Sequence, residues 1–303
     1  MDEFELIRRY FTRDAGQGVA VGIGDDAAVL EPPEGHQLAV STDTLVEGIH
    51  YPADLAPADI GYRLAAVNFS DMAAMAATPR WMLLNLTLPY ENADWLEAFA
   101  EGLFEAADDH DVVLVGGDTT GGSMPVLTLQ VIGTVETGEA VLRRGASVGD
   151  GIYVTGNPGD AAGGLDQLQL GHPQHSLCRT FLRPESRVSL ARTLQMTSAI
   201  DISDGLYGDL AKLLEASACG ANLYFDRLPL SRALVDTYGT EQARQLALTG
   251  GDDYELCFTA PSAPYADGVA ITWIGEVTAE SGITCFDEGK PVVFRDSGYR
   301  HFS

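Results

Sequence analysis

At 303 residues, with 46% hydrophobic residues, the chain has the apolar content of one large or two ordinary domains, which excludes a disordered chain. A formal net charge of −26, from 44 acidic side chains against 18 basic ones, excludes the basic footprint that electrostatic nucleic-acid binding needs. No apolar run approaches the ~20 residues of a membrane-spanning helix, so no membrane partner is expected.

Lys212 and Lys290 are the only lysines, and scarce lysine with excess acid fits a salt-adapted interior. Cys178, Cys219, Cys257 and Cys285 are scattered, with no C-x-x-C pair, as in a reducing compartment. The N-terminus, Met1-Asp2-Glu3-Phe4-Glu5, is acidic where a signal peptide is basic. The expected location is the cytoplasm.

Phe4, Ile7, Arg8 and Phe11 have helical spacing and predict a short helix over 4–11. Residues 19–23 read as a strand that ends in Gly24-Asp25-Asp26-Ala27-Ala28, and 38–42 as a second strand that breaks into Ser41-Thr42-Asp43-Thr44. A helix is expected from Pro57 to about Ala77, with Asp59 at its positive end and Asp71 on its length. Residues 81–88 alternate as a strand, 94–110 carry helical periodicity, and 112–115 form an apolar strand that breaks into Gly116-Gly117-Asp118-Thr119-Thr120. Residues 126–135 form the next strand.

The polar, glycine-rich stretch from Arg143 to Asp150 marks a domain boundary, giving domains over 1–140 and 149–303. Residues 152–155 read as a strand. Gly156-Asn157-Pro158-Gly159-Asp160 follows, a plain strand-to-helix turn or a phosphate cradle, and then a helix from Ala161. Residues 187–196 read as helical. Asp201-Ile202-Ser203-Asp204-Gly205-Leu206 leads into a helix to about Ala216. Gly250-Gly251-Asp252-Asp253-Tyr254-Glu255-Leu256 precedes three short strands at 257–259, 271–274 and 291–294. Strands alternating with helices in both halves make the class α/β or α+β.

Four acidic clusters in the first half, at Asp25-Asp26, Asp43, Asp71 and Asp118, sit beside apolar strand or helix sequence. Carboxylates gathered in one place are costly unless cations neutralise them, and hydroxyl and carboxylate oxygens are what Mg²⁺ takes. Each aspartate by itself reads more readily as a cap or loop residue. The chain has no Walker loop, no dinucleotide fingerprint, no protein-kinase motif set and no nucleophile elbow. An acid-rich site without lysine suits Mg²⁺–nucleotide chemistry, and it suits a two-metal phosphohydrolase as well.

The stretches Gly22–Ala28, Ser41–His50, Asn68–Met75, Gly116–Thr120, Asp201–Leu206 and Gly250–Leu256 together resemble thiamine-monophosphate kinases, in that family's order and over essentially the whole chain. The first four are shared more loosely with relatives that make aminoimidazole ribotide or selenophosphate. The resemblance implies a two-domain PurM-like fold, with N-terminal domains that join in a homodimer through a β-barrel and a C-terminal α/β domain that completes the active site. It implies transfer of the ATP γ-phosphoryl to thiamine monophosphate, the last step of thiamine diphosphate synthesis. Transfer would be direct and in line, assisted by several Mg²⁺ ions, with no catalytic side chain.

The same resemblance implies Mg²⁺ contacts at Asp26, Ser41, Thr42, Asp43, Asp71, Asp118, Asp201 and Asp204, with Asp25 in support. It implies ATP contacts at Gly117, Asp118, Arg143 and Ser203, and contacts to thiamine monophosphate at His50, Asp252 and Tyr299. Spacing alone does not choose between Arg143 and Arg144. Asp252 stands where the family commonly has glutamate, one methylene longer. An aromatic beside the nucleotide is expected near His110, where this chain reads Asp108-Asp109-His110-Asp111.

Overall fold

The computed structural model describes residues 3–13, 16–266 and 268–294. The chain divides into two compact units, one of Met1–Met72 with Ala77–Ala140 and one of Ala73–Ala76 with Val141–Ser303.

In the first unit a single α-turn, α1 (Glu3–Leu6), continues as a π-helical turn over Ile7–Phe11. A small hairpin of β1 (Val19–Val21) and β2 (Val29–Leu30) follows. Then come β3 (His36–Val46), α2 (Pro57–Ala74), β4 (Thr78–Leu88), α3 (Ala93–Asp108), β5 (Val113–Gly121) and β6 (Val126–Glu136). The four long strands form one sheet in the order β3-β6-β4-β5. Strands β4 and β5 are parallel and α3 is their crossover, while the other pairs are antiparallel.

Alternation gives the sheet two unlike faces. Leu127, Leu129 and Val131 of β6 and Met82, Leu84 and Leu86 of β4 are buried on one face. Leu38 and Val40 of β3 lie on the other, 52% and 56% exposed. Helix α3 buries Leu96, Phe99, Leu103 and Ala107, one stripe at i, i+3, i+7 and i+11. Each large member of that stripe contributes ~1.5–3 kcal/mol of transfer free energy. Asn92 caps α3, its side chain accepting from the Trp95 N–H at 3.2 Å.

Helices α2 and α3 touch backbone to backbone. A Cβ on Gly61 would lie 2.1 Å from the Phe99 carbonyl oxygen, and one on Gly102 would lie 1.8 Å from that of Ala58. Glycine on both helices is what permits this approach.

The second unit holds β7 (Gly151–Thr155), α4 (Asp160–Gln169), α5 (Cys178–Leu182), α6 (Val188–Ala191), β8 (Ser198–Asp201), α7 (Leu206–Ala216) and β9 (Gly220–Tyr224). It continues with α8 (Arg232–Thr249), which is broken at Gly239, then β10 (Leu256–Ala260), β11 (Ile271–Thr278), β12 (Gly282–Asp287) and β13 (Lys290–Val292). The seven strands form one mixed sheet in the order β13-β12-β9-β11-β7-β10-β8. Its core joins Ile152, Val154, Ile200, Leu210, Leu213, Leu223, Cys257 and Ile274. All four cysteines are free and buried.

Several expected boundaries move. The acidic clusters of Asp43 and Asp118 do not follow their strands but lie inside them, because β3 runs to Val46 and β5 to Gly121. Eleven register pairs with β6 carry the Ser41–Thr44 hydroxyls into the ladder, where an edge strand tolerates polar side chains. The helix expected over 187–196 shrinks to α6. Helix α8 and strands β9 and β12 add to the expected set.

Candidate functional site

Two elements of the first unit, β3 and α2, bring their polar side chains together. Ser41 and Asp43 point to the same face of the strand, toward α2. Ser41 Oγ donates to Asp71 Oδ2. Asn68, one helical turn before Asp71, accepts from the Asp43 N–H at 3.1 Å and donates to the Leu64 carbonyl at 2.8 Å. Asn68 is fully buried and both ends of its amide are used. Burial, and next the charge of Asp71, push the Asp43 carboxyl up to about 6. Two carboxylates and a hydroxyl therefore meet in a partly dry place. That is the chemistry of a hard-cation site, and Mg²⁺ fits it.

Thr42 and Thr44 project from the opposite face of β3, where the Oγ1 atoms of Thr44 and Thr128 are 2.8 Å apart. A separate cavity of about 990 Å³ is lined by Asp25, Asp26, Gly117 and Asp118, with Arg8, Phe11 and Asn85. Asp25 Oδ1 accepts from the Asp26 N–H at 2.8 Å, and Asp118 pairs in register with Asn85. Among the described residues no three His, Cys, Asp or Glu side chains form one metal-binding group. The first unit thus presents its predicted ligands in separate places, Ser41, Asp43 and Asp71 on the α2 side of β3, Thr42 on the opposite face, and Asp26 and Asp118 in the cavity beside β5.

His50 sits in the turn that ends β3. Its Nδ1 accepts from the Val46 N–H at 3.0 Å, and its own N–H donates to the Val46 carbonyl at 2.9 Å. In the neutral ring this assigns the proton to Nε2. The His110 ring meets Phe69 edge-on, with ring centroids 5.6 Å apart.

In the second unit the 201–206 and 250–256 stretches are laced together. The Asp252 N–H donates to the Ser203 carbonyl at 2.9 Å, the Tyr254 N–H to that of Ile202 at 2.8 Å, and the Ile202 N–H to that of Glu255 at 2.8 Å. Asp252 and Tyr254 hold left-handed backbone, φ 69° and 53°. Such conformations cost of order 1–3 kcal/mol and persist where the surroundings impose them. A Cβ on Gly251 would lie 2.3 Å from the Ser203 carbonyl oxygen. Asp201 is buried at the end of β8 and Asp204 stands half-exposed in the turn. Arg143 and Arg144 are both exposed, and the Arg143 carbonyl accepts from Ser217 Oγ at 3.0 Å. Tyr299 lies outside the described residues.

Asp253 is fully buried and accepts from the Gly159 and Ala161 N–H groups at 2.7 and 3.1 Å. A carboxylate of the chain itself fills the N-terminus of α4, which makes Gly156–Asp160 a structural turn. Beside it the Arg187 guanidinium donates to both oxygens of Glu255 at 2.7 and 2.6 Å. Sequence reasoning gave no role to Asn68 or to Asp209, whose carboxylate anchors the 203–204 turn. A signal existed for Asn68, which lies three residues before Asp71 and so on the same helical face.

The family described as AIR synthase related protein, N-terminal domain, matches residues 24–135. The chain is 45% identical to the thiamine-monophosphate kinase of Escherichia coli (strain K12), over 99% of this chain and 98% of that one. Its fold matches the crystal structure of thiamine-monophosphate kinase from Stenotrophomonas maltophilia K279a with a TM-score of 0.83 and 40% identity, over 95% and 96% of the two chains. It also matches AaThiL complexed with AMPPCP and TMP, with a TM-score of 0.82 and 32% identity over 92% of each chain.

Proposed function

This chain belongs to the thiamine-monophosphate kinase family, and we propose from that membership that it transfers the γ-phosphoryl of ATP to the phosphate of thiamine monophosphate, giving thiamine diphosphate and ADP. The enzyme is a phosphotransferase with a phosphate as acceptor, on a mixed α/β, PurM-like fold. The observation that carries the reading is likeness along the full length of the chain, not along one domain. A relative that holds AMPPCP and TMP supports the same pair of substrates.

Bound Mg²⁺ would neutralise the phosphate charges and let two anions approach. Asp26, Ser41, Thr42, Asp43, Asp71 and Asp118 in the first unit and Asp201 and Asp204 in the second are the residues we assign to it. Asp43 with Asp71 has the strongest geometric support, through burial and mutual repulsion. Thr42, on the reverse face of β3, has the weakest. Gly117, Asp118, Arg143 and Ser203 are assigned to ATP, and His50, Asp252 and Tyr299 to thiamine monophosphate. The remaining work of the chain is binding and alignment, so that the acceptor phosphate attacks in line.

Residues 1–140 would carry ATP, metal and dimer contacts, and 149–303 the further contacts. The exposed Leu38 and Val40 support a homodimer joined through that sheet face as a barrel. A cytoplasmic location is part of the same reading. Among the described residues no helix is long and apolar enough to cross a membrane.

The test is incubation with ATP, Mg²⁺ and thiamine monophosphate, followed by product analysis. Thiamine diphosphate and ADP in equal amounts are expected. ADP and free phosphate without thiamine diphosphate would overturn the assignment in favour of a hydrolase.

A further inference from the structure

Asp209 lies on the first turn of α7, 1% exposed, with its side chain turned back toward the loop before the helix. One oxygen, Oδ2, accepts from both the Ser203 N–H at 3.0 Å and the Asp204 N–H at 2.9 Å. The other, Oδ1, accepts from Lys212 Nζ at 2.8 Å. The same ammonium donates to Asp204 Oδ2 at 2.6 Å. The four groups close a ring. Asp209 fixes the backbone of the turn, Lys212 neutralises Asp209, and Lys212 also fixes the direction of the Asp204 carboxylate. Lys212 is one of two lysines in a chain with 44 acidic residues.

We infer that Asp209 is a positioning residue for MgATP, acting through Lys212 and the Ser203–Asp204 turn. The inference rests on the reading that Ser203 meets ATP and Asp204 meets Mg²⁺. Charge-assisted hydrogen bonds are short and directional, so they hold a carboxylate at one angle where a solvated side chain would sample many. The Asp209 carboxylate satisfies two loop N–H groups that the helix cannot reach, which fixes the backbone of the turn. Both residues act through the Ser203–Asp204 turn, so the effect of losing them falls on MgATP affinity and not on the acceptor.

Three variants test this: Asp209→Asn, Lys212→Met and Lys212→Arg. Asparagine keeps an acceptor for the two N–H groups and loses the charge that holds Lys212. Lys212 is 44% exposed, so replacing it removes no buried apolar packing, and the Asp209 hydrogen bonds to the turn stay in place even where the Asp209 variant misfolds. MgATP affinity is measured by calorimetry without acceptor, and KM for both substrates by turnover. Lys212→Met is expected to weaken MgATP by about fivefold and Asp209→Asn by about tenfold, in Kd and in KM alike. The KM for thiamine monophosphate should stay within about twofold, and Lys212→Arg should recover most of the loss. MgATP affinity within about twofold of wild type in Lys212→Met, or an equal rise in both KM values, would overturn the inference. A wild-type chain that binds MgATP but forms no thiamine diphosphate would overturn the kinase reading instead, and the calorimetric comparison would still decide the role of Asp209.

Discussion

Asp43 is held in a place that disfavours its own charge. Burial and the neighbouring Asp71 carboxylate raise its pKa to about 6 from the ordinary value of 3.8. Between those two values the folded, metal-free chain binds more protons than the unfolded chain. Its stability therefore falls as pH rises through that window. The loss is the cost of keeping two carboxylates ready for a cation. Asp43→Asn and Asp71→Asn remove a charge and keep the shape. Each should lower kcat/KM by about a hundredfold or more, because a metal-held phosphate loses its counter-charge in the transition state. In Mg²⁺-free buffer near neutral pH each variant should melt at or above the wild-type temperature. Activity within about threefold of wild type would take these residues out of the metal shell, whatever the melting curves show.

At the scale of elements the tightest constraint is the crossing of α2 and α3. Gly102 faces the Ala58 carbonyl oxygen so closely that a methyl group would sit 1.8 Å from it. Backbone cannot yield as a flexible side chain can, so Gly102→Ala must push the helices apart. The expected cost is roughly 1–3 kcal/mol or more, seen as a lower melting temperature, although alanine is the better helix former by ~1 kcal/mol. A melting temperature equal to or above that of wild type would mean the helices do not meet there. This contact was not legible in the sequence, since a helical glycine does not say which backbone it faces. Helix α3 itself was legible, because Leu96, Phe99 and Leu103 repeat at its period. From sequence, strand β3 ends at Thr42 because a cluster of serine, threonine and aspartate usually caps a helix or turns a loop. Here they continue the strand, paired residue by residue with β6. The chemistry of Asp43 and Asp71 was legible as residue types in a pattern. The Asn68 bridge was not, because it depends on a strand and a helix brought together by the fold, and Asp209 was hidden in the same way behind the turn it holds.

For the molecule as a whole, charge is the dominant physical fact. A net charge of −26 spreads repulsion over the surface, and the Asp43–Asp71 pair concentrates it at one point. The two are separable by the cation that relieves them. Monovalent salt screens exposed charges beyond ~10 Å at 0.1 M and acts weakly on a partly buried pair. Mg²⁺ bound only by the folded state stabilises it by mass action, ~2.7 kcal/mol at a hundredfold excess over Kd. The melting temperature should therefore rise with KCl and rise further with millimolar Mg²⁺ at constant ionic strength. In Asp71→Asn the KCl increment should persist and the Mg²⁺ increment should shrink, because the variant keeps nearly all of the surface charge and loses half of the carboxylate pair. Equal Mg²⁺ increments in the two proteins would place the divalent effect on the general surface. The carboxylates beside β3 would then be a strained pair without a metal to justify them.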